Sequence, residues 1–324
     1  MKFVPLGRTG LTVSRFCYGA MSFGKEADEA MSARLFNRCL DAGLNFFDCA
    51  NLYSNGRAEE ILGRLIQGRR HNLIITSKVG FAMTDDPNDS GLSRRHIFQQ
   101  LEGSLRRLGT DFLDIYFCHT DDRLTPIEET LRAMEDVVRQ GKVRHVGISN
   151  WPAWKIATAL GLAARHLWQP VQVLQPMYSL AKRTVEVEIL PLAQAENLAV
   201  ISYSPLGGGI LTGKYLPGQA APQGRLTVNK MYAERYAEAV YQDIAKRFLD
   251  YAKRTGVHPV TLAVAWVAAN PAITTPILGA RNVEQLEPSL AAADYEMSPD
   301  QWREISALTP LVPVATDRDE ERTA

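Results

Sequence analysis

The feature that most constrains this chain is a repeat of pattern rather than of letters. Short apolar runs, most of them ending in a polar residue, alternate with longer segments of helical period. The runs are Arg15–Tyr18, Asn45–Ala50, Leu73–Val79, Leu113–His119, Val143–Asn150, Val171–Gln175, Ala199–Ser204 and Thr275–Gly279. Helical patterns lie between them at Arg34–Ala42, Ala58–Gln67, Arg94–Leu108, Pro126–Gln140 and Val185–Glu196, several stopped by glycine, with Thr125-Pro126 as a good helix start. Near-continuous apolar strands separated by helices are the sequence form of βαβ units, whose parallel strands are buried on both faces. Eight such units without a Pro/Ser-rich break predict an α/β fold, one closed (β/α)8 TIM barrel over residues 1–324, rather than two domains. The alternative, an open doubly wound sheet, carries GxGxxG after its first strand, where this chain reads YGAMSFG.

Two segments fall outside the repeat. Phe3 to Val13, around Gly7 and Gly10, reads as a hairpin that plugs the barrel floor. Between the seventh and eighth strands lies a Gly- and Pro-rich stretch, Gly207–Asn229, followed by helical patterns at Arg235–Thr255 and Pro259–Ala269. A loop of that length inside a compact domain is usually functional or disordered. The tail after Pro310, ending DRDEERTA, reads as a solvated end.

Lys plus Arg and Asp plus Glu both total 36, so no global field draws in nucleic acid or an anionic membrane. An anionic ligand must be met by a local basic cluster. Cys17, Cys39, Cys49 and Cys118 show no CxxC or disulfide-like spacing, and read as buried thiols of a reducing compartment. MKFVPLGRTG has no signal-like apolar region, and the longest uncharged apolar run, Leu262 to Ala269, is too short for a bilayer, so the expectation is a cytoplasmic protein. His71, His96, His119, His145, His166 and His258 have no HExxH spacing and no cysteine partners, so no metal is expected. Oligomeric state is not legible, and a homo-oligomer stays open.

The strand ends carry the chemistry. From the second strand onward they read Asp48, Lys78, His119, Ser149 with Asn150, Gln175, Tyr203 with Ser204, and Arg281 just past the eighth. A charge in a strand buried on both faces is costly unless it reaches the barrel mouth, so Asp48, Lys78 and His119 should share one cavity, with Tyr53 on the loop above it. A phenol near pKa 10 is a poor acid at neutral pH unless a cation stabilises its phenolate. Lys78 supplies that cation, Asp48 fixes the lysine, and His119 orients a carbonyl or shares the proton. Such a set protonates a developing alkoxide, as carbonyl reduction by hydride transfer requires. Taken singly, each residue has an ordinary reading: Lys78 with Asp48 as a structural ion pair, His119 as a core histidine, Ser149-Asn150 as a helix cap, Arg281 as a surface charge. Their joint placement at successive strand ends favours function.

At these residues the chain resembles the aldo-keto reductase family, and in particular its bacterial branch similar to the β subunits of voltage-gated potassium channels. The matching segments include LGRTGLTVSRFCYGAMSFG, NFFDCANLYSNGRAEEILG, TSKVG, SLRRLGTDFLDIYFCH, EETLRAMEDVVRQGKVRHVGISNW, VLQPMYS, ISYSPLGGGILTGKY and PILGARNVEQL. The resemblance implies an NADPH-dependent, reversible reduction of an aldehyde or ketone, with Asp48, Tyr53, Lys78 and His119 as a catalytic tetrad and Tyr53 as general acid. It implies that Ser149, Asn150 and Gln175 hold the nicotinamide carboxamide while Tyr203 stacks on the ring. Ser204, Leu206, Gly208 and Lys214 would line the pyrophosphate, with Arg281 and Gln285 at the 2′-phosphate end. Gly19, Met21, Asp48, Pro205, Arg225, Gly279 and Ser289 complete the implied cofactor set. Met21, Phe23, Tyr53, Phe81, His119 and Trp151 would form an apolar, aromatic-rimmed pocket for a small-molecule carbonyl substrate, with TDDPNDSG as one wall. The long insertion becomes a strap across the cofactor. The chain departs from the family pattern at Pro288-Ser289, at Thr120 and at Cys49. Two rival readings are a nucleotide-sensing regulatory subunit and a lyase or isomerase that uses Lys78 as a Schiff base.

Overall fold

The strands, in chain order, are β1 (Phe3–Pro5), β2 (Thr12–Ser14), β3 (Cys17–Gly19), β4 (Phe46–Asp48), β5 (Ile74–Val79), β6 (Leu113–Cys118), β7 (Val143–Ser149), β8 (Val171–Gln175), β9 (Ala199–Ser202) and β10 (Thr275–Leu278). In the computed structural model, which describes residues 1–216, 221–222, 224–316 and 318, β3 to β10 close into one parallel barrel, with β10 paired to both β3 and β9. The TIM barrel expected from the repeat is therefore the observed fold.

Period two sorts the barrel side chains. Cys17, Phe46, Ile115, Phe117, Val173 and Ile201 fill the interior, while Tyr18, Phe47, Tyr116, Leu174 and Val200 pack with the helices. Residues two apart share a face, so Asp48 stands above Phe46, Lys78 above Thr76, His119 above Phe117, Gln175 above Val173 and Tyr203 above Ile201. The polar strand ends are the top layer of the same inward columns whose lower members make the core. At Gly147 the column has no side chain, because a Cβ there would lie 2.3 Å from the Phe117 ring.

The floor is closed as the sequence predicts. β1 and β2 pair antiparallel, Val4 opposite Val13, and Leu6 and Val13 belong to the barrel's interior cluster. Gly7 takes φ 53°, and a Cβ on it would come within 2.7 Å of the Ala199 amide nitrogen, so glycine lets the hairpin reach β9.

The barrel helices are α1 (Glu29–Asp41), α2 (Arg57–Leu65), α3 (Arg94–Leu108), α4 (Ile127–Arg139), α5 (Ala153–His166) and α6 (Ile189–Ala195). α1 begins ahead of Arg34 because Asp28 caps it, accepting from the Met31 amide at 2.8 Å. α6 begins after Val185, since residues 184–186 form a separate 3-10 turn held by Arg183 on Glu186. The insertion carries α7 (Arg225–Val228), α8 (Lys230–Arg235), α9 (Ala239–Thr255) and α10 (Pro259–Ala269), so the single helix expected over Arg235–Thr255 starts at Ala239. α11 (Val283–Leu290) and α12 (Pro299–Ser306) follow β10. Parts of the Gly207–Asn229 stretch (217–220 and 223) and of the tail (317 and 319–324) lie outside the described residues. All four cysteines are buried free thiols. Among the described residues no helix is long and apolar enough to cross a membrane.

Candidate active site

Lys78 is wholly buried at the end of β5, and its three ammonium protons have three acceptors. Nζ bonds Asp48 Oδ2 at 2.6 Å, the Cys49 carbonyl at 2.7 Å and the Tyr53 hydroxyl at 3.0 Å. The other Asp48 oxygen accepts from Thr76 Oγ1 at 2.7 Å and from Gln175 Nε2 at 2.8 Å. Because β4 and β8 stand opposite each other in the ring, that last bond spans the mouth. Burial alone would drive the Lys78 proton off; Asp48 and Tyr53 outweigh it and raise its pKa, so Lys78 is an ammonium.

Tyr53 opens a short 3-10 turn in which Ser54, Asn55 and Gly56 all take positive φ, at 49°, 56° and 89°. Two non-glycine residues in the left-handed region cost backbone energy, and the Ser54 hydroxyl bond to the Phe23 carbonyl at 2.6 Å helps to hold them. Burial pushes the Tyr53 phenol above its ordinary range while Lys78 pulls the other way. Burial outweighs the stabilisation of the phenolate by Lys78, so the proton stays on the oxygen.

His119, just beyond β6, meets Tyr53 edge-on with ring centroids 6.0 Å apart, and Phe81 edge-on at 4.9 Å. Burial and the nearby Lys78 charge hold its pKa well below the usual imidazole range, so it is neutral. Its Nδ1 is buried without a hydrogen-bond partner among the described residues.

A second chain of bonds runs along one side of the mouth, over the ends of β6 to β9. Tyr203 donates to Asn150 Oδ1 at 2.7 Å; Asn150 Nδ2 donates to the His119 carbonyl and to Ser149 Oγ, both at 2.9 Å; Ser149 donates to the Gln175 carbonyl at 2.8 Å. Ser149 and Asn150 therefore do not cap α5, whose first residue follows Pro152 with no side-chain cap. Asn150, at φ 61°, turns its amide back across the mouth. Gln175 Oε1 makes no hydrogen bond among the described residues, which leaves it an acceptor for an amide such as a nicotinamide carboxamide.

Beyond β9 the chain is shaped for an anion. Gly207, Gly208 and Gly209 all have positive φ, and Ser204 shares that region at 62°. Lys214 lies against Gly209, where a Cβ would approach Nζ to 2.7 Å. Its pKa is lowered by burial and then by the charges of Arg281 and Arg225. A phosphorylated cofactor fits a donor set with three cations on one side of the mouth. Gly279 is open, with nothing within 4 Å of a Cβ, and Gly19 packs on Ile277. Gln285 bonds back to the Arg281 amide at 3.3 Å. Leu206 and Met21 are half-buried, while Pro205 and Ser289 turn almost no surface to solvent.

Of the residues expected around a substrate, Phe81 is 40% exposed beside His119, whereas Phe23 is fully buried against Tyr18, ring centroids 5.7 Å apart, and turns no surface to the mouth. Trp151 is nearly buried, and its indole donates to the Thr120 carbonyl at 2.9 Å. A cavity of about 650 Å³ lies beside it, lined by Asn150, Gln175, Met177, Lys182 and Tyr203 among others. Thr76, Asn51, Asp89 and Gln100, all buried and hydrogen-bonded around the mouth, escape a reading of strand ends alone. Only Thr76 carries a signal, its shared column with Lys78. Among the described residues there is no group of three or more His, Cys, Asp or Glu side chains that could hold a metal ion.

A parallel barrel whose top layer combines an acid, a lysine, a phenol and an imidazole defines a class of barrel enzymes. The aldo/keto reductase family model matches residues 15–310, and the chain belongs to that family as one of its oxidoreductases. The uncharacterized oxidoreductase YrpG of Bacillus subtilis (strain 168) is 38% identical over 322 residues, 96% of each chain. A probable voltage-gated potassium channel subunit beta of Oryza sativa subsp. japonica is 38% identical over 328 residues, covering 98% of this chain and 99% of its own. Protein tas of Escherichia coli (strain K12) is 31% identical over 338 residues, 95% of this chain and 97% of its own.

Proposed function

We propose that this oxidoreductase reduces aldehydes or ketones to alcohols with NADPH, in a cytoplasmic setting, with Tyr53 as the proton donor. The observation that carries the reading is the buried relay from Asp48 through Lys78 Nζ to the Tyr53 hydroxyl, 2.6 Å and then 3.0 Å, with neutral His119 at its edge. Asp48, Thr76 and Gln175 fix the lysine, and the lysine fixes the phenol. A raised phenol pKa keeps the proton on Tyr53 until an oxygen more basic than itself develops beside it. At that moment Lys78 stabilises the phenolate left behind, which makes the acid preorganised. His119, unable to hold a second proton at neutral pH, orients the carbonyl or shares the Tyr53 proton.

Ser149, Asn150, Gln175 and Tyr203 would hold a nicotinamide, and Lys214, Arg225 and Arg281 its phosphates; the cofactor would supply the hydride. Lys78 is a poor Schiff-base nucleophile, because all three of its protons are engaged and its pKa is raised, so no lone pair is free. A second reading, a nucleotide-sensing subunit with slow turnover, draws support from the rice relative's name and its near-complete coverage.

The test is loss of NADPH absorbance with a panel of neutral aldehydes and ketones. Steady multiple turnover supports the reductase. Tight NADPH binding with less than one turnover per site across the panel supports the sensor, and adduct formation on borohydride trapping would favour the lyase.

A further inference from the structure

The loop between β5 and α3 carries Phe81, yet from Thr84 to Gly91, TDDPNDSG, it holds no large apolar side chain that could anchor it by burial. Its order comes from one side chain. Asp89 is nearly buried, and its Oδ2 accepts from the Met83 amide at 3.0 Å, the Thr84 amide at 2.7 Å and Thr84 Oγ1 at 2.8 Å. The Gly91 amide bonds the Gly80 carbonyl at 2.9 Å and closes the base of the loop. Burial works against a charged Asp89, but these donors outweigh it and hold its pKa below the ordinary carboxylate value.

The other Asp89 oxygen leads inward. Oδ1 accepts from Gln100 Nε2 at 2.6 Å, and Gln100 Oε1 accepts from Asn51 Nδ2 at 2.9 Å. Asn51 sits two residues before Tyr53. His96 is fully buried and its Nδ1 lies 3.4 Å from Asp89 Oδ1, but burial lowers its pKa, so hydrogen bonds rather than an ion pair meet the Asp89 charge. On the far side of the loop, the Leu92 amide bonds Asp122 Oδ2 at 2.7 Å, and Asp122 also takes the Leu124 amide and the Thr125 hydroxyl. The loops carrying Tyr53, Phe81 and the residues after His119 are thus cross-linked by the buried Asp89, Gln100 and Asn51 and the half-buried Asp122, which touch none of the reacting groups.

We propose that Asp89 is a positioning residue that sets the Phe81 wall against His119 and thereby fits the mouth to planar aryl carbonyl compounds. The proposal rests on the reductase reading. With Asp89 in place, the exposed Phe81 ring stands edge-on to His119, which Tyr53 also meets edge-on, so an aryl group at the mouth would meet the Phe81 ring. Without it, Phe81 loses the register of its loop, while the relay of Asp48, Lys78 and Tyr53 keeps every bond it has. Aryl substrates should lose affinity, and small alkyl aldehydes, which do not reach Phe81, should not.

The experiment compares benzaldehyde with propanal in wild type, Asp89→Ala, Asp89→Asn and Thr84→Val. Loss of a bond to a charged group is worth about tenfold, so Asp89→Ala should raise KM for benzaldehyde by about that factor, with kcat for propanal and the NADPH dissociation constant unchanged. Asp89→Asn should rescue the loss. Its amide oxygen still takes the loop donors, its amide nitrogen can meet a flipped Gln100, and Asn51 can flip to offer its Oδ1, which is buried without a partner. Thr84→Val removes one loop bond from a surface position and should shift benzaldehyde the same way by less, should Asp89→Ala not fold. Equal losses for both aldehydes, no change in either, or an Asn variant as impaired as Ala would overturn the proposal. If wild type reduces neither aldehyde nor any other carbonyl, the reductase reading itself fails.

Discussion

Lys78 meets Tyr53 twice: its ammonium bonds the phenol oxygen at 3.0 Å and lies 4.7 Å from the ring centroid. The one cation therefore restrains the ring's position and stabilises its conjugate base. Tyr53→Phe keeps the ring and removes only the acid, so turnover should fall by roughly 10²–10⁴ while the NADPH dissociation constant stays within about twofold of wild type. Single-turnover rates and fluorescence titration check the two halves separately, and a variant that retains most of its activity would remove Tyr53 from the role.

The pH profile should be flat. Burial and Lys78 lower the His119 pKa and burial raises that of Tyr53, so His119 is already neutral and Tyr53 still protonated between about pH 7 and about pH 9. The imidazole would gain a proton only well below that window, and the phenol would lose its own only above it. Carbonyl reduction should therefore show no limb across the window. An alkaline limb with an apparent pKa near 8 would mean that a different acid is titrating.

Arg281→Ala should separate the two nicotinamide cofactors. Burial first, and then the charges of Arg281 and Arg225, lower the Lys214 pKa, so three cations act on this side of the mouth. Loss of one forked contact to a phosphate costs about 1.5–3 kcal/mol, or roughly ten- to a hundredfold in NADPH affinity, with NADH little changed. Dissociation constants for both cofactors at fixed salt decide it. Equal weakening of the two would make Arg281 structural.

Gly147→Ala tests the packing of the inward column rather than its chemistry. A methyl there meets the Phe117 ring at 2.3 Å, closer than any real contact, and Phe117 lies directly beneath His119. Overpacking of this kind costs about 1–3 kcal/mol. A lowered thermal midpoint, accompanied by slower turnover as His119 is displaced, is expected; an unchanged midpoint would show that the ring has room to move.

The barrel and the meeting of Asp48, Lys78 and His119 at its mouth were legible because both depend on the same period of two, whereas Tyr53 was placed by its nearness to Asp48 along the chain. An inward column that is apolar at Phe46, Ile115 and Ile201 and polar at Asp48, His119 and Tyr203 can only be a strand that surfaces at one end. The direction of the Tyr53 pKa was not legible, since a sequence shows the cation beside a phenol but not how much water both have lost. Nor were Asp89, Gln100 and Asn51, which lie on loops and a helix where polar residues are ordinary and only their meeting in space gives them weight. The burial of Phe23 was not legible for a related reason: an aromatic after a glycine-flanked turn reads equally as rim or as filling, and in the fold its ring lies buried beside Tyr18.

Among the described residues, the hairpin seated in the barrel floor makes the barrel a vessel with one open end. Leu6 and Val13 seal one end, so everything that reaches Tyr53 arrives, and everything made there departs, past the same rim. A long ligand stretched from Tyr203 to Arg281 would occupy that threshold for its whole length. Such a ligand would have to be first in and last out, and the expected traffic is a queue rather than a crossing.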